Sequence, residues 1–196
     1  MRPIKYTGAT KYCYPDSEIL INKLDIRDLE LLNEAEAALS AQRLLELEKR
    51  PVNGCFNFEH LKEIHRYILQ DLYDFAGKVR NEDISKGHTS FAKWKYIEEN
   101  ADKLFSDLKA EMSLKGTSKI VFAQRAAYYM AELNVLHPFR DGNGRAIREF
   151  IRELALINGH RLTWYAVDYQ EILDASIRSV FELNMLTNVI FQAIQA

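Results

Sequence analysis

Apolar residues recur at helical spacing along most of this chain, and that period predicts its elements before any motif is considered. Leu29, Leu32, Ala35, Ala38, Leu39 and Leu45 form a stripe that predicts a helix from Asp25 to about Lys49, stopped near Pro51 and Gly54. Phe58, Leu61, Ile64, Ile68 and Leu72 repeat the pattern in a second helix. Further helices are expected from Trp94 to about Leu114, from Ile120 to Leu136, from Ala146 to Ile157 and from Tyr169 to about Phe191, with Arg161 to Tyr165 as a short extended link. Ala123, Ala126, Ala127, Met130 and Leu133 mark the Ile120 helix as central and closely packed, and Gly159 suits the end of the next one.

Two stretches lack this period. Residues 1–15 mix Pro, Gly, Thr and Tyr and predict an extended N-terminal arm. Between Asp74 and Ala92 the helical pattern breaks, Gly77 and Gly87 punctuate the run, and Val79, Ile84 and Phe91 allow two short strands: a hairpin over 78–92.

Composition narrows the class. A chain of 196 residues that is 47% apolar suits a single domain over 1–196 with a substantial core. A net charge of −2 argues against a broad nucleic-acid or membrane footprint and favours a protein partner. Cys13 and Cys55 form no metal-binding spacing and suggest a reducing compartment. The first residues lack the apolar core of a signal peptide, and no apolar run reaches spanning length, so a cytoplasmic location is expected.

The chemistry concentrates in His137-Pro-Phe-Arg-Asp-Gly-Asn-Gly-Arg145, followed by Arg148. Gly142 and Gly144 allow the backbone to approach a ligand, and the turn opens the Ala146 to Ile157 helix, whose start favours anions. Arg145 and Arg148 share the first turn and can fork onto phosphate oxygens. Asp141 offers the hard oxygen that Mg²⁺ accepts when it also binds substrate phosphates. His137, fixed ahead of Pro138, titrates where a general base should, and Phe139 reads as the buried anchor of the loop. Singly, His137 reads as a loop histidine, Asp141 as a helix cap and the arginines as a solvated face; together, in this order, they read as a grip for a nucleoside triphosphate. His60 and His65, five apart on the second helix, fall on different faces and read as packing or surface histidines.

At every fixed position this run resembles the Fic signature, His-Pro-Phe-x-Asp/Glu-Gly-Asn-Gly-Arg-x-x-Arg. The resemblance implies an all-α fold, a compact helical bundle with one β-hairpin flap, that moves AMP from ATP to a protein hydroxyl. By position, His137 is the base, Asp141 the Mg²⁺ ligand, Gly142, Asn143 and Gly144 the α-phosphate cradle, and Arg145 and Arg148 the grip on the outer phosphates. Glycine at 144, where the related Doc toxins carry lysine, favours AMP transfer over phosphate transfer. The segment Phe75-Ala-Gly-Lys-Val-Arg80 resembles the one leading into the family's flap, which makes Ile84, Ser85, Lys86 and Gly87 the residues expected to align a target segment by strand pairing. A plain surface hairpin is the alternative. Tyr169 and Ser176 fall near the family's adenine pocket, although core packing is the stronger reading of Tyr169.

Many members of the family carry an inhibitory helix with Ser/Thr-x-x-x-Glu, whose glutamate pairs with the second motif arginine. No glutamate of this chain has Ser or Thr four residues before it. The resemblance is therefore to toxins restrained by a separate small antitoxin, whose targets are type II topoisomerase subunits of DNA gyrase or topoisomerase IV. A secreted effector acting on host proteins, a Doc-like phosphotransferase and a non-catalytic nucleotide-binding module are the alternatives.

Overall fold

A computed structural model describes residues 10–87 and 89–195. Within them are seven α-helices and one two-stranded antiparallel ribbon, and no helix among them is long and apolar enough to cross a membrane.

Helix α1 (Leu29–Lys49) begins where the Asp28 carboxylate accepts the Leu31 N–H at 2.8 Å, so it starts later than the expected Asp25. Its buried positions are Leu32, Ser40 and Leu47, whereas Ala38 and Leu45 of the expected stripe are exposed. The phase differs because the inner side of α1 also has to meet polar groups, among them Arg145, which takes Ser40 and Glu36 as partners. Helix α2 (Phe58–Leu69), capped by Asn57, buries Leu61, Ile64 and Ile68 against α1 and α5, and Leu72 is buried in the turn that follows.

The expected arm falls partly outside the described residues, at 1–9. Residues 10–15 are a turn and a single bridge, Cys13 to Leu20, and are not extended. Tyr12 fastens this turn: its hydroxyl donates to Asn81 Oδ1 at 2.9 Å and its ring meets Phe75 edge-on. The hairpin consists of β1 (Ser85–Lys86) and β2 (Thr89–Ser90), with Ser85 opposite Ser90 and Lys86 opposite Thr89.

Helix α3 (Ile97–Ala110) follows a tight turn at Trp94–Tyr96 and does not continue to Leu114, because Met112, Ser113 and Leu114 all take left-handed φ. The chain reverses there to enter α4 (Lys119–Leu136), and burial of Leu114 helps offset the strain. Helix α4 is the centre of the bundle. Ala123, Ala126 and Ala127 are fully buried and let α3, α5 and α7 pack closely around it.

Helix α5 (Asn143–Ile157) ends as expected before Gly159, whose φ is +76°. The region read as one helix from Tyr169 to Phe191 is two: α6 (Tyr169–Arg178) and α7 (Asn184–Ala193). Neither Gly nor Pro marks the break, and the buried positions Ile172, Ala175, Leu186 and Ile190 stay in helical phase through it. Tertiary packing decides the matter: α7 lies against both α6 and α4, which two halves of one straight helix could not do. Ser179 closes α6 by donating to the Ser176 carbonyl at 2.7 Å.

Candidate active site

The motif loop spans the gap between α4 and α5, and four contacts fix its shape. His137 ends α4 in a left-handed conformation, φ +46°, with its N–H on the Leu133 carbonyl at 2.9 Å. Phe139 is fully buried and stacks on His65 at 3.8 Å between centroids. The Asn143 side chain closes the loop on itself, accepting the Phe139 N–H at 2.9 Å and donating to the Phe139 carbonyl at 2.8 Å. Gly142 precedes α5 at φ +74°, where an added Cβ would lie 2.5 Å from Leu69 Cδ1, so both backbone and space require glycine.

His137 Nδ1 lies 3.1 Å from the Asn134 carbonyl. A carbonyl only accepts, so Nδ1 carries the proton and Nε2 is the basic nitrogen of the neutral ring. Burial depresses this histidine to about 3, against the partial support of the Asn134 contact. The ring is therefore neutral at working pH. Phe91, just after β2, stacks on it at 3.8 Å and ties the hairpin to the imidazole.

Asp141 accepts the Gly142 N–H on Oδ1 at 2.6 Å, which leaves Oδ2 for a ligand. No cluster of three or more metal-ligating side chains exists among the described residues. A lone carboxylate beside a phosphate site is the donor set that Mg²⁺ uses when waters and substrate complete its shell. The start of α5 has no side-chain cap, so its first N–H groups are available to an anion. Asn143 can contribute its backbone N–H there, since its side chain oxygen and an amide hydrogen are engaged by Phe139.

The two arginines sit in different settings. Arg145 Nη1 donates to Ser40 Oγ at 3.0 Å, and Nη2 is paired with the Glu36 carboxylate, whose other oxygen takes the Tyr73 hydroxyl. Arg148 makes no ion pair with any described residue, and its guanidinium lies over the Tyr169 ring, 5.9 Å from the centroid. Burial pulls Arg148 below the usual guanidinium range. A Cβ at Gly144 would come within 3.2 Å of Arg148 Nη1, so this glycine keeps the two groups close.

Tyr169 is 65% exposed, which overturns the core-packing reading and leaves its ring beside Arg148 at the site's edge. Ser176 is nearly two turns further along α6, its hydroxyl donating to the Ile172 carbonyl at 2.8 Å. In the hairpin Ile84 is buried, Ser85 half-buried, and Lys86 and Gly87 exposed.

Two residues named from sequence hold positioning roles that the sequence reading did not give them. Arg80 is buried and donates from Nε to the His137 carbonyl at 2.8 Å, from Nη1 to Glu82 at 2.7 Å, and from Nη2 to Ala92 at 2.6 Å. It thus joins both roots of the hairpin to the His137 backbone. His65 accepts the Gly77 N–H on Nδ1 at 2.8 Å and so donates from Nε2 to the Asp141 carbonyl, also at 2.8 Å. Burial holds it neutral, at about 4. The Phe75 to Arg80 segment signalled the first; helical spacing alone could not signal the second, whose partners lie far along the chain.

A family model described as the Fic/DOC family matches residues 55–155. The chain is 41% identical over 178 residues to protein adenylyltransferase VbhT of Bartonella schoenbuchensis, which covers 90% of this chain but only 37% of that protein. It is 40% identical over 162 residues to the probable protein adenylyltransferase Fic of Escherichia coli, covering 82% of this chain and 80% of that one. Among solved structures, the N-terminal Fic domain of a putative cell filamentation protein from Bartonella quintana with bound ADP aligns at a TM-score of 0.87 and 25% identity, over 94% of each chain. The FIC domain of Bep8 from Bartonella sp. 1-1C aligns at 0.86 with 23% identity over 94% of each, a likeness of fold.

Proposed function

The chain belongs to the Fic/DOC family, and on that premise we propose that it is a protein adenylyltransferase. AMP passes from ATP to a hydroxyl side chain of a target protein. The observation that carries this reading is the His137 tautomer: Nδ1–H is committed to Asn134, which makes Nε2 the basic nitrogen, on the loop that leads into a helix start with no side-chain cap.

In this mechanism His137 Nε2 takes the target hydroxyl proton as the oxygen attacks the α-phosphorus. The bond from that phosphorus to the bridging oxygen breaks, and pyrophosphate leaves with the electron pair. The N–H groups of Asn143 and Gly144 lie where negative charge on the α-phosphate is stabilised. Arg145 and Arg148 hold the outer phosphates. Asp141 would hold Mg²⁺, which when bound neutralises phosphate charge. The hairpin presents the target: Ile84, Ser85, Lys86 and Gly87 form its first strand and the turn beside it, with Lys86 and Gly87 exposed, and Phe91 relates the hairpin to His137. Gly144 supports AMP transfer over the Doc-like alternative. Tyr169 and Ser176 border the adenine end of the site.

Arg148, with no carboxylate partner among the described residues, also supports restraint from outside. A small antitoxin would place a glutamate on Arg148, and a toxin acting on DNA gyrase or topoisomerase IV is the corresponding role in the cytoplasm. The effector reading rests on the solved neighbours, several of them described as VirB-translocated Bartonella effectors. Incubation with ATP and a bacterial lysate, followed by peptide mass spectrometry, tests the activity. An adenylyl group on a Ser, Thr or Tyr of a discrete target, lost with His137→Ala, supports the proposal; no modified peptide overturns it. Modification of a topoisomerase subunit would select the toxin role.

A further inference from the structure

Glu36 stands on α1, 109 positions before Arg145, on a helix that carries none of the signature residues. Its carboxylate is nonetheless the counter-charge of Arg145, and the pair is largely shielded, with side chains 21% and 17% exposed. Ser40, one turn further along α1, takes the neighbouring guanidinium nitrogen at 3.0 Å. The Tyr73 hydroxyl fixes the second carboxylate oxygen from the turn after α2.

We propose that Glu36 is the positioning residue of the polyphosphate grip, setting the Arg145 guanidinium in one orientation before the nucleotide arrives. The proposal rests on the reading that Arg145 contacts the donor's outer phosphates. An unrestrained arginine gives up side-chain entropy when it is fixed. Holding it beforehand removes that cost from binding. Glu36 and Ser40 occupy one hydrogen on each terminal nitrogen, which leaves Nε–H and the remaining terminal hydrogens for phosphate oxygens. Displacement of Glu36 by phosphate is disfavoured, since it would strand a shielded carboxylate beside Tyr73. The two arginines thereby divide their work. Arg145 is preset and neutralised, and Arg148 is the uncompensated cation.

The test is a binding cycle on the full chain, with α,β-methylene-ATP and AMP as probes of the site with and without its outer phosphates. Glu36→Gln is expected to weaken the ATP analogue about 10-fold, the worth of one charged hydrogen bond. AMP, which never reaches Arg145, should change by less than about twofold, and that arm also reports an intact fold. Because Glu36 acts through Arg145, the double variant with Arg145→Ala should bind the analogue no more weakly than Arg145→Ala alone. Tyr73→Phe, which keeps the ion pair and removes only its lock, should weaken the analogue in the same direction by less. Unchanged or tighter analogue binding by Glu36→Gln, an equal loss for AMP, or a double variant with fully additive losses would each overturn the proposal. Unchanged analogue binding by Arg145→Ala would overturn it differently, by removing the phosphate role on which it rests.

Discussion

The Nδ1 atom of His137 is 3.1 Å from the carbonyl oxygen of Asn134, three residues earlier on α4, so the helix that delivers the base also selects its tautomer. With the ring depressed to about 3 by burial, its protonation does not limit activity near neutrality. Transfer rates should therefore show no acidic limb with a midpoint between pH 6 and 7. A pH–rate profile on saturating ATP checks this, and a limb near the ordinary histidine value of about 6.5 would contradict it.

The same burial makes the fold sensitive to acid. His65 and His137 titrate at about 4 and about 3 when folded but near the ordinary value when unfolded, so between those limits the unfolded chain binds more protons. Stability then rises with pH. It is fully present above about 6.5 and is lost on acidification, by up to about 1.4 kcal/mol per pH unit for each histidine until the folded value is reached. Thermal unfolding at pH 7.5, 6 and 5 should show a falling midpoint, and His65→Gln should flatten the slope while lowering the midpoint at pH 7.5.

Asn143 and Phe139 exchange two hydrogen bonds inside the loop. Asn143→Ala leaves a buried N–H and carbonyl unpaired and should cost about 2–6 kcal/mol of unfolding free energy, since each stranded group costs about 1–3. Denaturant unfolding measures the loss. Transfer should fall further than this stability change requires, because the loop carries both His137 and Asp141.

The two motif glycines should respond differently to alanine. Gly142→Ala meets Leu69 at 2.5 Å in a left-handed conformation and should destabilise the protein by about 2 kcal/mol or more. Gly144→Ala lies in a helical turn and meets only the far end of Arg148, at 3.2 Å. It should fold nearly as well yet raise the KM for ATP, which paired stability and kinetic measurements would show.

Arg80→Lys probes the link between hairpin and base. A lysine cannot reproduce the fork that spans His137, Glu82 and Ala92. Lower stability by about 2 kcal/mol or more and reduced transfer to a protein target are expected, with the AMP affinity altered far less than the target's KM.

How much of this could be read from the chain followed from range. The loop from His137 to Arg148 is local, with its partners Asn134, Phe139 and Asn143 within a few residues, and its identity and shape were legible. Most helices were legible as well, because their apolar period survives in sequence. Glu36 and His65 were not, since each meets the loop across a large sequence separation and carries no local pattern of its own. The phase of α1 failed for the same reason: a polar partner, Arg145, claims part of its inner face. The break between α6 and α7 was hidden because packing on α4, and not a Gly or Pro, sets it.

The central claim is that His137 directs the α-phosphate of ATP onto a protein hydroxyl, and parallel incubations of target lysate with α-labelled and γ-labelled ATP test it most directly. The expected result is a protein band labelled only from the α position and absent with His137→Ala. Label arriving from the γ position, or α-label that survives loss of His137, would contradict it.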